Sequence, residues 1–190
     1  MKMTEPIRNK QQIRMLTEFY LKRGQIRNHL LIVMGIHTAL RISDLLRIRW
    51  EDVYDFKRQR IHSSLTLIEK KTGKAKTIAL HPNILIALRL YTNTAKPGKF
   101  LFINPRTGQA IGRVQAYRII RAAGEAIKLC TRVSCHSLRK TFGYHAWKDG
   151  KHPEIIMKIY NHSSLAITSR YLGITQDDID AVYLDAMLTA

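Results

Sequence analysis

The chain has 190 residues, enough for one domain with a full-sized core, and its 45% hydrophobic content is ordinary for a globular protein. Its charge is unusual: 32 Lys and Arg stand against 14 Asp and Glu, giving +18 and an isoelectric point near 10.3. A balance that basic points to a polyanion, most often nucleic acid, while the longest apolar run, LLIVMGI at 30–36, is far too short to span a bilayer.

Residues 8–23 read as an exposed, basic amphipathic helix with Ile13, Leu16, Phe19 and Tyr20 on its apolar side, ended by Gly24. Residues 26–40 are apolar nearly all round and predict a buried helix; 43–50 predict a short one with Ser43 as N-cap. IHSSLTLIE (61–69) and AKTIAL (75–80) favour strands, and the KTGK between them is a turn, so a β-hairpin with a basic tip is expected. Pro82 opens a helix to about Thr92. FLFIN (100–104) is a short apolar strand or loop followed by the turn PRTG. From Arg113 onward the pattern is helical, broken at Lys128–Ser134, Gly150–His152, Asn161–Ser163 and Gly173. The last helix starts with Thr175 and Asp178 in a near capping box and carries an apolar stripe of Ile179, Val182, Tyr183, Ala186 and Met187. The expected fold class is α+β, mainly α-helical, with a small antiparallel sheet.

Two cysteines, Cys130 and Cys135, are too few for a disulfide framework, and no signal peptide is visible. An intracellular, reducing setting is therefore expected. The C-x4-C spacing beside His136 would suit zinc if a second pair of ligands followed, and none does, so no metal is assigned.

Four stretches hold residues able to do chemistry. In CHSLRKTFGYHAW (135–147), Leu138, Phe142, Ala146 and Trp147 form a core stripe, yet His136 and Arg139, three apart, share one face. In TALRISDLLRIRW (38–50), Arg41 follows a buried helix and needs a partner or a ligand; Asp44 is the nearest candidate. In KKTGKAKTIAL, the lysines read either as a solvated loop or as a grip on phosphates, with Lys71 better fixed than Lys74. In IYNHSSLAITSRYLG (159–173), His162 taken alone reads as a capping histidine and Tyr171 as a core aromatic.

Together these stretches resemble the tyrosine site-specific recombinases, or phage-integrase family, over about residues 10–185. TALRISDLL is similar to the family's T-G-L-R-x-S-E-L and matches Arg41, with Asp44 at the acidic position. KTGKAKTIAL is similar to K-T-G-K-x-R-x-I-P-L and places the hairpin lysine at Lys71. HSLRKTF resembles H-x-L-R-H/K-T/S-F, and YNHSSLAITSRY resembles L-G-H-S-S-x-x-T-T-x-x-Y, matching His136, Arg139, His162 and Tyr171. Asn161 replaces the usual glycine and Ala79 the usual proline, and only about ten residues precede the first helix where family members carry an N-terminal DNA-clamping domain. The length fits either a short recombinase or a fragment of a longer one.

The resemblance implies a catalytic domain at 1–174 with a small three-stranded antiparallel sheet, and a C-terminal helix at 175–190 that docks on a neighbouring protomer. It implies metal-free phosphoryl transfer on double-stranded DNA, with no cofactor. Tyr171 would be the nucleophile, Arg41 and Arg139 the phosphate clamps, His136 the base, Lys71 the general acid and His162 a donor to a phosphate oxygen, with Asp44 in support. Lys70, Lys74, Lys76, Arg47 and Lys140 are the expected DNA-binding residues. The protein would assemble on DNA, as a tetramer in synapsis, with the nucleoid in the cytoplasm. Two other readings stay open: a DNA-binding regulator on the same fold without strand exchange, and a metal-dependent nuclease.

Overall fold

The computed structural model describes residues 4–95, 97–129 and 132–185; Cys130, Ala186 and Met187 lie outside the described residues. Helix α1 (Lys10–Leu21) starts where the Asn9 side chain accepts from the N–H groups of Gln11 and Gln12, and it buries Leu16 and Tyr20. Helix α2 (Ile26–His37) holds the apolar run, and every residue from Asn28 to Ile36 is buried. Helix α3 (Ile42–Leu45) is shorter than its sequence predicts, and its N-cap is Arg41 rather than Ser43. The chain leaves helical geometry after Leu46 because Ile48 accepts from the Leu101 N–H at 2.9 Å and Arg49 bridges to Phe100. A 3-10 turn (Trp50–Asp52) leads to strands β1 (Tyr54–Asp55) and β2 (Arg60–Ile61), then β3 (Ser64–Ile68) and β4 (Ala75–Ala79).

The strands correct one expectation. Among the described residues they form two separate two-stranded antiparallel ladders, β1–β2 and β3–β4, not one three-stranded sheet. The stretch FLFIN, read as a short strand or loop, makes only isolated bridges, Arg49 to Phe100 and Ile103 to Ala110, because each contact is to a different segment. The β3–β4 hairpin matches its prediction, with Ser64 opposite Ala79 and Ile68 opposite Ala75.

Helices α4 (Pro82–Thr94), α5 (Arg113–Ala126), α6 (Cys135–Lys148), α7 (Pro153–Tyr160), α8 (Leu165–Leu172) and α9 (Gln176–Asp185) complete the chain, with breaks where they are predicted. The near capping box of α9 is half formed: the Asp178 carboxylate accepts from the Thr175 N–H at 3.0 Å and from its hydroxyl at 2.9 Å. The main core surrounds α2, which packs against α1, α4, α5 and α6. A second cluster of Ala39, Ile156, Tyr160 and Leu172 lies under α6, α7 and α8.

Helix α6 joins the two clusters. Leu138 enters the main core, whereas Phe142, Ala146 and Trp147 pack on the second. Two glycines allow the close approach. A Cβ on Gly35 of α2 would lie 2.7 Å from Leu138 Cδ1, and one on Gly143 of α6 would collide with the Tyr160 hydroxyl and stand 2.6 Å from Leu172 Cδ2. Gly143→Ala should therefore overpack the α6–α7–α8 junction and cost about 1–3 kcal/mol. A thermal melt would show this as a fall of about 2–4 °C per kcal/mol in a chain of this size, and an unchanged Tm would mean that the junction is looser than described.

Candidate active site

The end of α2 sets the first element of the site. Thr38 closes the helix, its hydroxyl donating to the Met34 carbonyl at 2.7 Å, and Ala39 turns the chain with a left-handed φ of 54°. A non-glycine residue there carries roughly 1–2 kcal/mol of strain. The turn aims the Ala39 carbonyl at α6, where Arg139 Nη1 donates to it. Two residues later Arg41 caps α3 with its side chain only 19% exposed and Nη1 3.2 Å from Glu69 Oε1. The partner of Arg41 is thus Glu69, not Asp44. Asp44 is buried and instead accepts the Lys70 backbone N–H at 2.9 Å through Oδ1.

Arg139 lies one turn into α6 and is 3% exposed. Its Nη2 donates to the Tyr160 carbonyl at 3.2 Å, and its guanidinium lies 4.6 Å from the centre of the Tyr160 ring. The Tyr160 hydroxyl returns a bond to the Arg139 carbonyl at 2.7 Å, so α6 and α7 are tied by the same two residues. His136 stands one turn earlier on α6, open to solvent.

Asn161 ends α7 in the left-handed conformation, φ 54° and ψ 43°, as the glycine it replaces would. His162 follows and shares a hydrogen bond through Nδ1 with the Thr168 hydroxyl at 3.1 Å. The His162 ring meets the Tyr171 ring edge-on with centres 5.1 Å apart, and Tyr160 meets it similarly at 5.0 Å. The Tyr171 hydroxyl is buried beside the Arg139 guanidinium and, among the described residues, meets no acceptor or donor in full hydrogen-bond geometry. Lys71 projects from the β3–β4 turn into solvent, its neighbours held on both sides: Lys70 by Asp44, and Thr72 by a hydroxyl bond to Glu69 Oε2 at 3.0 Å.

Lys70, Lys74 and Arg47 are exposed. Lys76 and Lys140 are drawn inward instead. The Lys76 ammonium donates to the Ile159 carbonyl at 2.6 Å, and Lys140, 6% exposed, holds its ammonium 5.2 Å from the centre of the Tyr171 ring.

These groups feel one another electrostatically. Burial pushes the Tyr171 phenol above its ordinary value, while Arg139 and Arg41 pull it down. The His136 imidazole is held below its ordinary value by the surrounding protein and then by Arg139, Lys140 and Arg41. His162 is lowered by burial, Arg139, Arg41 and Lys71. Arg41, Arg139, His162 and Tyr171 are thus neighbours drawn from separate parts of the chain, with His136 beside Arg139 on α6 and Lys71 within electrostatic reach of His162.

Glu69 is the residue that sequence reasoning misses. It is 0% exposed and gathers Arg41, Thr72 and Asn161. Its signal lies in the strand alternation: Leu65, Leu67 and Glu69 fall on one inward face, so an acid stands where an apolar residue belongs.

The phage integrase family model matches residues 7–177. The probable integrase/recombinase YoeC of Bacillus subtilis is 37% identical over 183 residues, covering 96% of this chain and 97% of that one. The tyrosine recombinase XerA of Pyrococcus furiosus is 27% identical over 158 residues, covering 82% of this chain but 53% of its own length. Among solved structures, XerA recombinase superposes with a TM-score of 0.78 at 20% identity, covering 100% of this chain and 68% of that one. XerH in a post-cleavage complex with palindromic difH gives 0.73 at 16% identity, over 98% and 54%.

With both imidazoles lowered, His136 and His162 should be neutral at pH 7 and titrate below about 6.5 in the DNA-free protein. The unfolded chain takes up protons near that value that the folded chain refuses. Stability should therefore fall as the pH drops from about 6.5 through the depressed folded values. NMR titration of the two rings checks this, and a His136 midpoint above the ordinary value would contradict the described surroundings.

Proposed function

The chain belongs to the phage integrase family and is a tyrosine recombinase, and from that premise we propose that it breaks and rejoins double-stranded DNA through Tyr171. The observation that supports this most is the gathering of Arg41, Arg139 and His162 beside the buried Tyr171 phenol, with His136 one turn from Arg139 on the same helix face. In the reaction the Tyr171 oxygen attacks a DNA phosphorus, a 3′-phosphotyrosyl bond forms, and the bond to the 5′-oxygen breaks. A second 5′-hydroxyl reverses the step on a new partner, and because the covalent link conserves the bond energy no ATP is consumed.

Each role follows from a chemical need. Burial keeps the phenol protonated, so a base must take its proton as it attacks; neutral His136 is suited to that. The pentacoordinate transition state is more negative than the diester, and Arg41 and Arg139 offer fixed forks that cannot lose their protons. His162 donates to a phosphate oxygen, its ring orientation set by Thr168. Lys71 protonates the departing 5′-oxygen from a turn braced by Asp44. Lys70, Lys74 and Arg47, being exposed, face the DNA backbone, whereas Lys76 and Lys140 support the site from inside.

Residues 1–174 form the catalytic unit in this reading, and 175–190 the assembly element. Asp178 of α9 is buried and binds Arg8 at 3.2 Å and Lys148 at 2.7 Å, anchoring the helix to its own chain. Its outer face leaves Val182, Tyr183 and Leu184 65%, 80% and 85% exposed. That face docks on a second copy when four protomers assemble on DNA.

Two experiments test the reading. Tyr171→Phe should bind a nicked duplex yet form no covalent adduct, while the unaltered protein forms one with EDTA present. Salt-sensitive binding with no adduct from the unaltered protein would instead identify a DNA-binding regulator. Val182→Asp combined with Leu184→Asp should spare cleavage at a single site and abolish strand exchange, and normal exchange by that variant would refute the docking role.

A further inference from the structure

Glu69 is the last residue before the β3–β4 turn, and its main chain shapes that turn, its carbonyl accepting from the Gly73 N–H at 2.9 Å and its N–H donating to the Lys74 carbonyl at 3.0 Å. Its carboxylate reaches three further segments. Oε2 accepts from the Thr72 hydroxyl at 3.0 Å and from Asn161 Nδ2 at 2.5 Å. Oε1 lies 3.2 Å from Arg41 Nη1 and 4.0 Å from Lys76 Nζ. Burial works against the charge, but the bonds from Thr72 and Asn161 and the nearby cations keep the carboxyl below its ordinary value, so it is ionised at neutral pH.

The three segments are those that carry the proposed chemistry. Thr72 is next to Lys71, Asn161 is next to His162, and Arg41 is itself the carboxylate's ion-pair partner. Asn161 is informative, since a glycine there would hold the same left-handed backbone but lack the amide that reaches Glu69. We propose that Glu69 is a positioning residue for strand cleavage, its one buried carboxylate holding Arg41, the Lys71 turn and the His162 turn in a single arrangement. The proposal rests on the roles assigned above to those three residues.

The test compares cleavage of two nicked duplexes, one with the ordinary 5′-oxygen at the scissile phosphate and one with bridging sulfur there. In both, the bond from Tyr171 oxygen to phosphorus forms and the bond to the 5′ atom breaks. Sulfur leaves as a thiolate and needs no proton, so it bypasses the general acid. Glu69→Gln should bind DNA but cleave the oxygen duplex about 10- to 100-fold more slowly, the range typical of outer-shell partners. Sulfur should restore part of that loss. Thr72→Val, which cuts only the brace on the Lys71 turn, should be slow on oxygen and near normal on sulfur. Asn161→Gly, which cuts only the link to the His162 turn, should be slowed equally on both.

Glu69→Gln cleaving the oxygen duplex at the unaltered rate would overturn the proposal. Should that variant not fold, unaltered rates for both Thr72→Val and Asn161→Gly would overturn it instead. Lys71→Ala separates the two levels of inference. If sulfur fails to restore its cleavage, the general-acid role of Lys71 is wrong, and the Glu69 proposal is then decided by Asn161→Gly on the oxygen duplex.

Discussion

The constraint on which the structure depends is the holding of several cations in one interior corner. Arg41, Arg139 and Lys76 are mostly buried and close enough to repel one another. Such a group stands only where acceptors offset both repulsion and lost hydration. One share comes from the C-terminal end of α7, whose Ile159 and Tyr160 carbonyls take the Lys76 ammonium and the Arg139 guanidinium. A helix C-terminus carries free carbonyls and the negative end of the helix dipole, so it is a natural seat for cations. The strained turn at Ala39 supplies another carbonyl, and Glu69 the negative charge.

This arrangement links fold to chemistry. Arg41 Nη1 makes no hydrogen bond among the described residues despite its proximity to Glu69. Arg139 is fixed by two backbone carbonyls, which cannot wander as a flexible carboxylate would. Preorganised donors of this kind need no rearrangement as charge develops on a phosphate. The glycine-mediated approach of α6 to α2 and α7 keeps Arg139 within reach of both Ala39 and Tyr160.

Much of this was legible in the sequence. Apolar periodicity located α1, α2 and the helices after Arg113, and Gly24, Asn161 and Gly173 marked real ends. Spacing placed His136 and Arg139 on one face of a helix, as found. The misses have physical causes. Ser43 looked like a cap because its residue type suits that position, but the turn at Ala39 starts α3 earlier. FLFIN, read as a strand or a loop, makes only isolated bridges, because burial alone does not give it a continuous partner. Lys76 and Lys140 looked like surface charges, since a count of lysines does not say which carbonyl or ring lies within reach of each. Glu69 was invisible to motif reading, because its partners come from four positions between 41 and 161.

The most direct measurement is a crystal structure of the protein on a nicked duplex with orthovanadate bridging the DNA ends in the geometry of the transferring phosphoryl group. The expected result has the Tyr171 oxygen at one apex, Arg41, Arg139 and His162 each within hydrogen-bond distance of an equatorial oxygen, and Lys71 near the 5′-oxygen at the other apex. A vanadate held by another tyrosine, or one that Arg41 and Arg139 do not both reach, would contradict the proposed convergence on a single phosphate.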